Sequence, residues 1–314
     1  MSFSKIYNRI ERSFNKMPIW FHLLVLLAII FILVNIYKQT IPRREGFIDQ
    51  HERFVVKKGI DLYDDFYVNI YDELFFKEIA NQYEVGSIMN ITKPTTESNI
   101  LVIGSGTGHI ANEFHKDDIK VTGIDESAAM INYAKKEYPT VQFKVANPLK
   151  AMIFNQEQFT HILCLNLNFY QYKNKNALLQ NIYNWLRPGG FFVVQLVDKN
   201  KFDPVVPAGK PFVMVNPQRF AKNRITTSEV VFNNFNYKSD FQTFPNDFVQ
   251  FREIFKDTNS GSNKVRENIH KLWIPPKQKV ISECKEVGFI AYAEVDLLMA
   301  QMEYQYLYVF QKPE

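Results

Sequence analysis

Cysteine is nearly absent: Cys164 and Cys284 are the two in 314 residues. Two cysteines exclude a disulfide framework and a four-cysteine zinc site. An excess of one charge is missing as well. Lys and Arg number 37 against 33 Asp and Glu, a formal +4, and they form no dense basic stripe, so no nucleic-acid partner is expected. Internal repeats and low-complexity tracts are lacking. No Gly-Lys-Ser/Thr stands ready for a triphosphate, and no catalytic triad or metal-ligand cluster is legible. What is present is the composition of a folded protein, 46% hydrophobic and 22% charged, which excludes a disordered chain. The length leaves room for one large domain or two small ones.

One stretch departs from that average. Ile19–Tyr37, IWFHLLVLLAIIFILVNIY, runs 19 residues without a charge. As a helix it would reach roughly 28 Å, close to the hydrocarbon thickness of a bilayer. Trp20 and Tyr37 stand at its ends, where amphipathic rings prefer the interface. The run is long for a signal peptide, no small-residue cleavage site follows, and it is apolar on every face. A single transmembrane helix over 19–37 is therefore expected, after a short basic tail at 1–18 and before a polar, basic linker at 38–58. Lys5, Arg9, Arg12 and Lys16 before it balance Lys38, Arg43, Arg44 and Arg53 after it, so charge gives no orientation.

Residues 59–314 read as one α/β domain. An aromatic helical stretch, Asp61–Asn81, repeats Tyr63, Phe66, Tyr67, Ile70, Tyr71, Leu74 and Phe75 at three- and four-residue steps. Strands expected at Asn99–Ile103, Ile119–Ile124, Val141–Val145, His161–Leu165 and Phe191–Val197 alternate with helices near Thr107–Phe114, Ala128–Glu137 and Asn176–Leu186. That alternation predicts a parallel sheet covered on both faces. Over 200–274 the helical period disappears and aromatic residues alternate with polar ones, which predicts an antiparallel β insertion, or lid. The α/β pattern resumes with a helix from Pro276 to Gly288 and strands near Ala291–Val295 and Glu303–Gln311.

The strand at Asn99–Ile103 runs into Gly104-Ser105-Gly106-Thr107-Gly108 and then a helix. Glycines admit positive φ and let the backbone approach a ligand. Asp125, 21 residues after Gly104 at the end of the next strand, is spaced to accept from both hydroxyls of a ribose. The GxGxG spacing differs from the GxGxxG of dinucleotide sites. With Asp125-Glu-Ser-Ala-Ala-Met130, Leu186-Arg-Pro-Gly-Gly190 and Asp65-Phe-Tyr67…Tyr71-Asp-Glu-Leu74, this loop resembles the class I S-adenosylmethionine-dependent methyltransferases, and most of all their small-molecule members.

The resemblance covers roughly 60–314 in order. It implies a Rossmann-like fold, with a doubly wound, seven-stranded, mostly parallel sheet and the β insertion after the fifth strand. It implies S-adenosyl-L-methionine as cofactor. Gly104, Ser105, Gly106 and Gly108 would surround its methionine part and Asp125 would hold the ribose. Glu126 and Met130 would lie beside ribose and adenine, Asn147 and Pro148 at the adenine edge, and Leu165 and Asn166 over the cofactor. Two positions depart from the pattern: Val102 stands where the family commonly has an acid, and Thr160 replaces the usual Asp opening the fourth strand.

Methyl transfer is an in-line displacement that mainly needs alignment and exclusion of water. By motif position Tyr67 and Tyr71 would face the sulfonium or the acceptor. His270, in Glu267-Asn-Ile-His270-Lys-Leu-Trp273, is the candidate general base. The expected protein is a membrane-anchored methyltransferase with a small-molecule or lipid-like acceptor, its catalytic domain facing the cytosol. The alternative is a catalytically silent, membrane-anchored interaction module on the same fold.

Overall fold

The computed structural model describes residues 17–40, 47, 50–205, 217–258 and 261–314, without the side chains of 34–40, 217 and 219. The chain divides into one unit up to Glu45 and a second from Gly46 onward.

In the first unit, helix α1 spans Ile19–Thr40. It covers the segment expected to cross a membrane. Among the described residues, however, no helix is long and apolar enough to do so. The basic tail before Met17 lies outside the described residues, as do 41–46 of the linker.

The second unit is built on a seven-stranded sheet. Its strands are β2 (Asn99–Ile103), β3 (Lys120–Asp125), β4 (Gln142–Val145), β5 (Phe159–Cys164), β6 (Leu186–Val197), β11 (Ile290–Asp296) and β12 (Gln305–Gln311). They lie in the order β11-β12-β6-β5-β2-β3-β4. Pairings among β2 to β6 are parallel, whereas β12 runs antiparallel to both β6 and β11. The sheet is therefore mixed. Helices α4 (His109–His115), α5 (Ala128–Glu137), α6 (Lys175–Trp185) and α7 (Lys277–Val287) connect its strands. Central β2 and β5 are buried along nearly their whole length, as strands covered on both faces must be. The Pro188-Gly189-Gly190 segment lies within β6, which begins before the strand expected at Phe191–Val197, and a Cβ on Gly190 would fall 2.9 Å from the carbonyls of Arg187 and Thr160. Thr160 ties two strands together: its Oγ1 accepts from Asn99 N at 2.9 Å and donates to Asn99 O at 3.1 Å.

The aromatic helical stretch is two helices rather than one. Helix α2 (Asp65–Phe75) is capped by Asp64, which accepts from Tyr67 N, and ends at Phe76, whose backbone is extended. Helix α3 (Glu78–Thr92) follows at once.

The insertion forms a second sheet from β7 (Thr227–Val231), β8 (Phe235–Thr243), β9 (Phe248–Asp257) and β10 (Val265–Trp273). Residues 206–216 and 259–260 lie outside the described residues. A fifth strand, β1 (Phe54–Lys58), pairs in parallel with β10. The linker expected to run through residue 58 therefore stops short of it. Residues 54–58, Phe-Val-Val-Lys-Lys, alternate in exposure rather than in polarity and complete the open edge of β10, a pairing no local pattern announces.

Candidate active site

The chain turns at the C-terminal ends of β2, β3 and β5, where open α/β sheets place their ligand crevice. Gly104 has φ +67°, and a Cβ there would fall 2.5 Å from Asn168 Cγ. Asn168 Nδ2 donates to Gly104 O at 2.8 Å, so the approach is a fitted one. Gly106 N donates to Asp125 Oδ2 at 3.1 Å and Ser127 N to Oδ1 at 2.9 Å. The acid spaced by the sequence thus meets the loop. Burial raises its pKa, against backbone N–H groups of Ser127, Gly106 and Glu126 that lower it.

Beyond Asp125, Asn147 Nδ2 donates to Glu126 Oε2 at 2.9 Å. Asn147 Oδ1 accepts from Leu149 N at 2.8 Å and closes a local turn. Met130 and Leu165 are 1% and 2% exposed, packed into the cores on opposite faces of the sheet. Pro148 is buried, and Gly108 caps α4 in a left-handed conformation.

Helix α2 is clamped onto this loop. Asp72 accepts from Thr107 Oγ1 at 2.7 Å and from His109 Nε2 at 2.9 Å, Tyr138 OH donates to His109 Nδ1 at 2.8 Å, and Phe76 stacks on the imidazole at 3.7 Å. Between helix and loop lies a cavity of about 230 Å³, walled by Gly104, Ser105, Gly106, Asn166, Asp72 and Glu84 among others. Two buried polar atoms there, Ser105 Oγ and Glu84 Oε1, have no hydrogen-bond partner. Positive-φ glycines and unspent polar atoms on one wall fit a polar ligand of the expected kind.

Burial pushes the Glu84 carboxyl up to about 8. The fold thus favours the protonated form. Its contribution to stability is complete below the unfolded value of about 4.3 and is lost as pH rises through the folded one. Glu84→Gln should therefore leave the Tm unchanged near pH 4 and raise it near pH 8, as checked by thermal melts of the ligand-free protein.

A second cavity, of about 200 Å³, lies beneath the insertion and shares Tyr71, Phe75, Asn166, Asn168 and Gln305 with the first. Tyr67, Phe251 and His270 line it. Here the period of two decides the chemistry. Phe251, Glu253 and Phe255 point to one face of β9. His270 on β10 registers with Phe251 and Tyr237 on β8 with Phe255, so both stand diagonal to Glu253. Glu253 is 0% exposed. It accepts from His270 Nε2 at 2.6 Å, Tyr67 OH at 2.7 Å and Tyr237 OH at 2.9 Å. Burial, then the Glu253 charge, holds both phenols well above their usual pKa, so they remain donors. Tyr71 is raised by burial and by Asp125, Asp72 and Glu253, which surround it with negative charge. Arg266 fixes the geometry by donating to Asp64 Oδ2 at 2.8 Å and Leu62 O at 2.9 Å, which ties β10 to the start of α2.

The structure thus brings together Gly104, Ser105, Gly106, Asn166 and Tyr71 at one cavity and Tyr67, Tyr71 and His270 at the other. Three residues were missed by sequence reasoning. Glu253 had a signal, an acid on the apolar face of an alternating strand. Asp72 lay within the Tyr71-Asp72 motif. Glu84 sits on a helix for which no signal was read.

Residues 100–190 match the family model of a methyltransferase domain. The chain carries an S-adenosylmethionine-dependent methyltransferase domain. At 23% identity over 214 residues, 64% of this chain and 80% of the relative, the methyltransferase is similar to the carboxy-S-adenosyl-L-methionine synthase of Campylobacter curvus. Its fold is that of an S-adenosylmethionine-dependent methyltransferase from Clostridium acetobutylicum, with a TM-score of 0.61 at 14% identity over 79% of this chain and 98% of the other. It is also that of an amino pentose methyltransferase from Micromonospora echinaspora, solved with S-adenosylmethionine bound, with a TM-score of 0.55 at 15% identity over 75% and 92% of the two chains.

Proposed function

We propose that this methyltransferase acts on a small or lipid-like molecule through a hydroxyl or amine that enters the cavity beneath the β lid, with His270 as the base. One observation carries the reading: His270, held from behind by buried Glu253, lines a cavity that shares Tyr71, Asn166 and Asn168 with the one at the glycine loop. Gly104, Ser105 and Gly106 would hold the methionine end of S-adenosyl-L-methionine, and Asp125 its ribose. When bound, the cofactor supplies a methyl carbon activated by sulfonium, and its sulfur keeps the electron pair of the broken bond.

The chain's own residues do the rest. His270 Nε2–H is spent on Glu253, which fixes the tautomer and leaves the Nδ1 lone pair to take the acceptor's proton. Glu253 stabilises the imidazolium that results. Tyr67 and Tyr237 hold Glu253 in place, and the aromatic walls from Tyr63, Tyr71 and Phe251 exclude water. A protein or nucleic-acid acceptor fits a cavity of about 200 Å³ less well than a small molecule.

Membrane anchoring by α1 belongs to the same proposal, supported by the uncharged run Ile19–Tyr37. It would hold the domain on the cytosolic side, beside lipid-like acceptors. Protease treatment of intact membranes should then degrade the domain only from the cytosolic face. The acceptor itself is tested by transfer of labelled methyl from S-adenosylmethionine into fractionated metabolites, lipids and proteins of the source cell. Label in the metabolite or lipid fraction is expected, and label confined to protein would overturn the reading.

A further inference from the structure

Three carboxylates line the cavity over the glycine loop: Asp72, Glu84 and Asp203. Asp72 is engaged by Thr107 and His109. Asp203 Oδ1 accepts from Val205 N and Gln218 Nε2, both at 2.9 Å. Glu84 is different. It is 2% exposed, its Oε1 has no partner, and it shares the cavity wall with Ser105 Oγ, which has none either. The other titratable groups on this wall are Tyr71 on α2, a phenol that burial keeps neutral, Lys77 at the start of α3, and His109 on α4, already held by Asp72 and Tyr138. Strand β2 contributes no charge nearby, because Val102 is 3% exposed within the apolar core.

A buried carboxyl without a partner is costly, and two orphaned acceptors on one cavity wall match a ligand that donates several hydrogen bonds. An ammonium group donates three. We propose that Glu84, assisted by Ser105 Oγ, anchors the α-ammonium group of the cofactor's methionine part, so that helix α3 supplies the negative charge that strand β2 lacks. The assignment rests on S-adenosylmethionine as the cofactor. It makes Glu84 a binding residue, not a catalytic one. It also carries a proton. With its carboxyl near 8, Glu84 is mainly protonated in the empty site at neutral pH and must ionise to meet the ammonium.

The test is calorimetric titration of the full-length protein with S-adenosylhomocysteine and with its desamino analogue, at about pH 7 in two buffers of different ionisation enthalpy. S-adenosylhomocysteine should release close to one proton and bind at least about tenfold tighter than the analogue, which should release none. Glu84→Gln should bind S-adenosylhomocysteine at least about tenfold more weakly, without proton release, and bind the analogue as the parent does. Equal affinity of the parent protein for the two ligands would overturn the proposal whether or not the variant folds, and so would a variant with unchanged affinity and proton release. If the parent binds neither ligand, the cofactor assignment itself fails, and this inference with it.

Discussion

Glu253→Gln lowers the rate of methyl transfer by roughly 10²–10⁴, the usual reach of general-base catalysis, with little change in S-adenosylhomocysteine affinity. The carboxylate accepts three hydrogen bonds, from His270, Tyr67 and Tyr237. A glutamine has one acceptor oxygen to offer them, and its amide presents donors where donors already point. The phenols can rotate to accept. His270 and Tyr67 share Oε2, and an amide oxygen in that place can still accept from both, so the glutamine chiefly removes the negative charge that stabilises the imidazolium. His270→Gln should give a loss of similar size, and the double variant little more, because the two act as a unit. Steady-state rates with the identified acceptor, beside thermal melts for folding, check this. Retention of half the parent's rate in Glu253→Gln would return the pair to a structural role.

Asp125→Ala weakens cofactor binding by roughly 10²–10⁴, from two lost charge-assisted hydrogen bonds of about 1.5–3 kcal/mol each. A second contribution is visible in the fold. Asp125 also pins Gly106 N and Ser127 N, so its removal frees the glycine loop as well as the ribose partner. Asp125→Asn separates the two effects, because one amide oxygen can keep the loop contact while the charge is gone. An intermediate affinity is expected for it. Titration with S-adenosylhomocysteine measures all three proteins, and unchanged affinity in the alanine variant would remove Asp125 from the ribose site.

The glycine loop and its acid were legible because their parts are local. A buried strand, a turn that needs positive φ and an acid at the end of the next strand all follow from chain order in a parallel sheet. Strand β2 and helix α5 fall where hydrophobic period and flanking residues put them. The lid was legible as β structure but not as a site. His270 stood out as a histidine, whereas its carboxylate partner, Glu253, lies 17 positions earlier and meets it only through the register of β9 and β10. Val102 departs from the family's acid in β2, and only packing shows Glu84, on α3, against the cavity at the glycine loop.

By itself, the sequence determined the elements, their order, the glycine loop with its acid, and through them the cofactor. Each depends on contacts between chain neighbours or on a fixed crossover rule. Tertiary structure alone decided which carboxylates serve the site. Cross-strand register, the clamp of α2 onto the loop, and the pairing of β1 with β10 join residues from distant parts of the chain. Burial then fixes the protonation of those residues. A side chain's charge is written in the sequence, but its partners and its proton depend on what the fold places beside it.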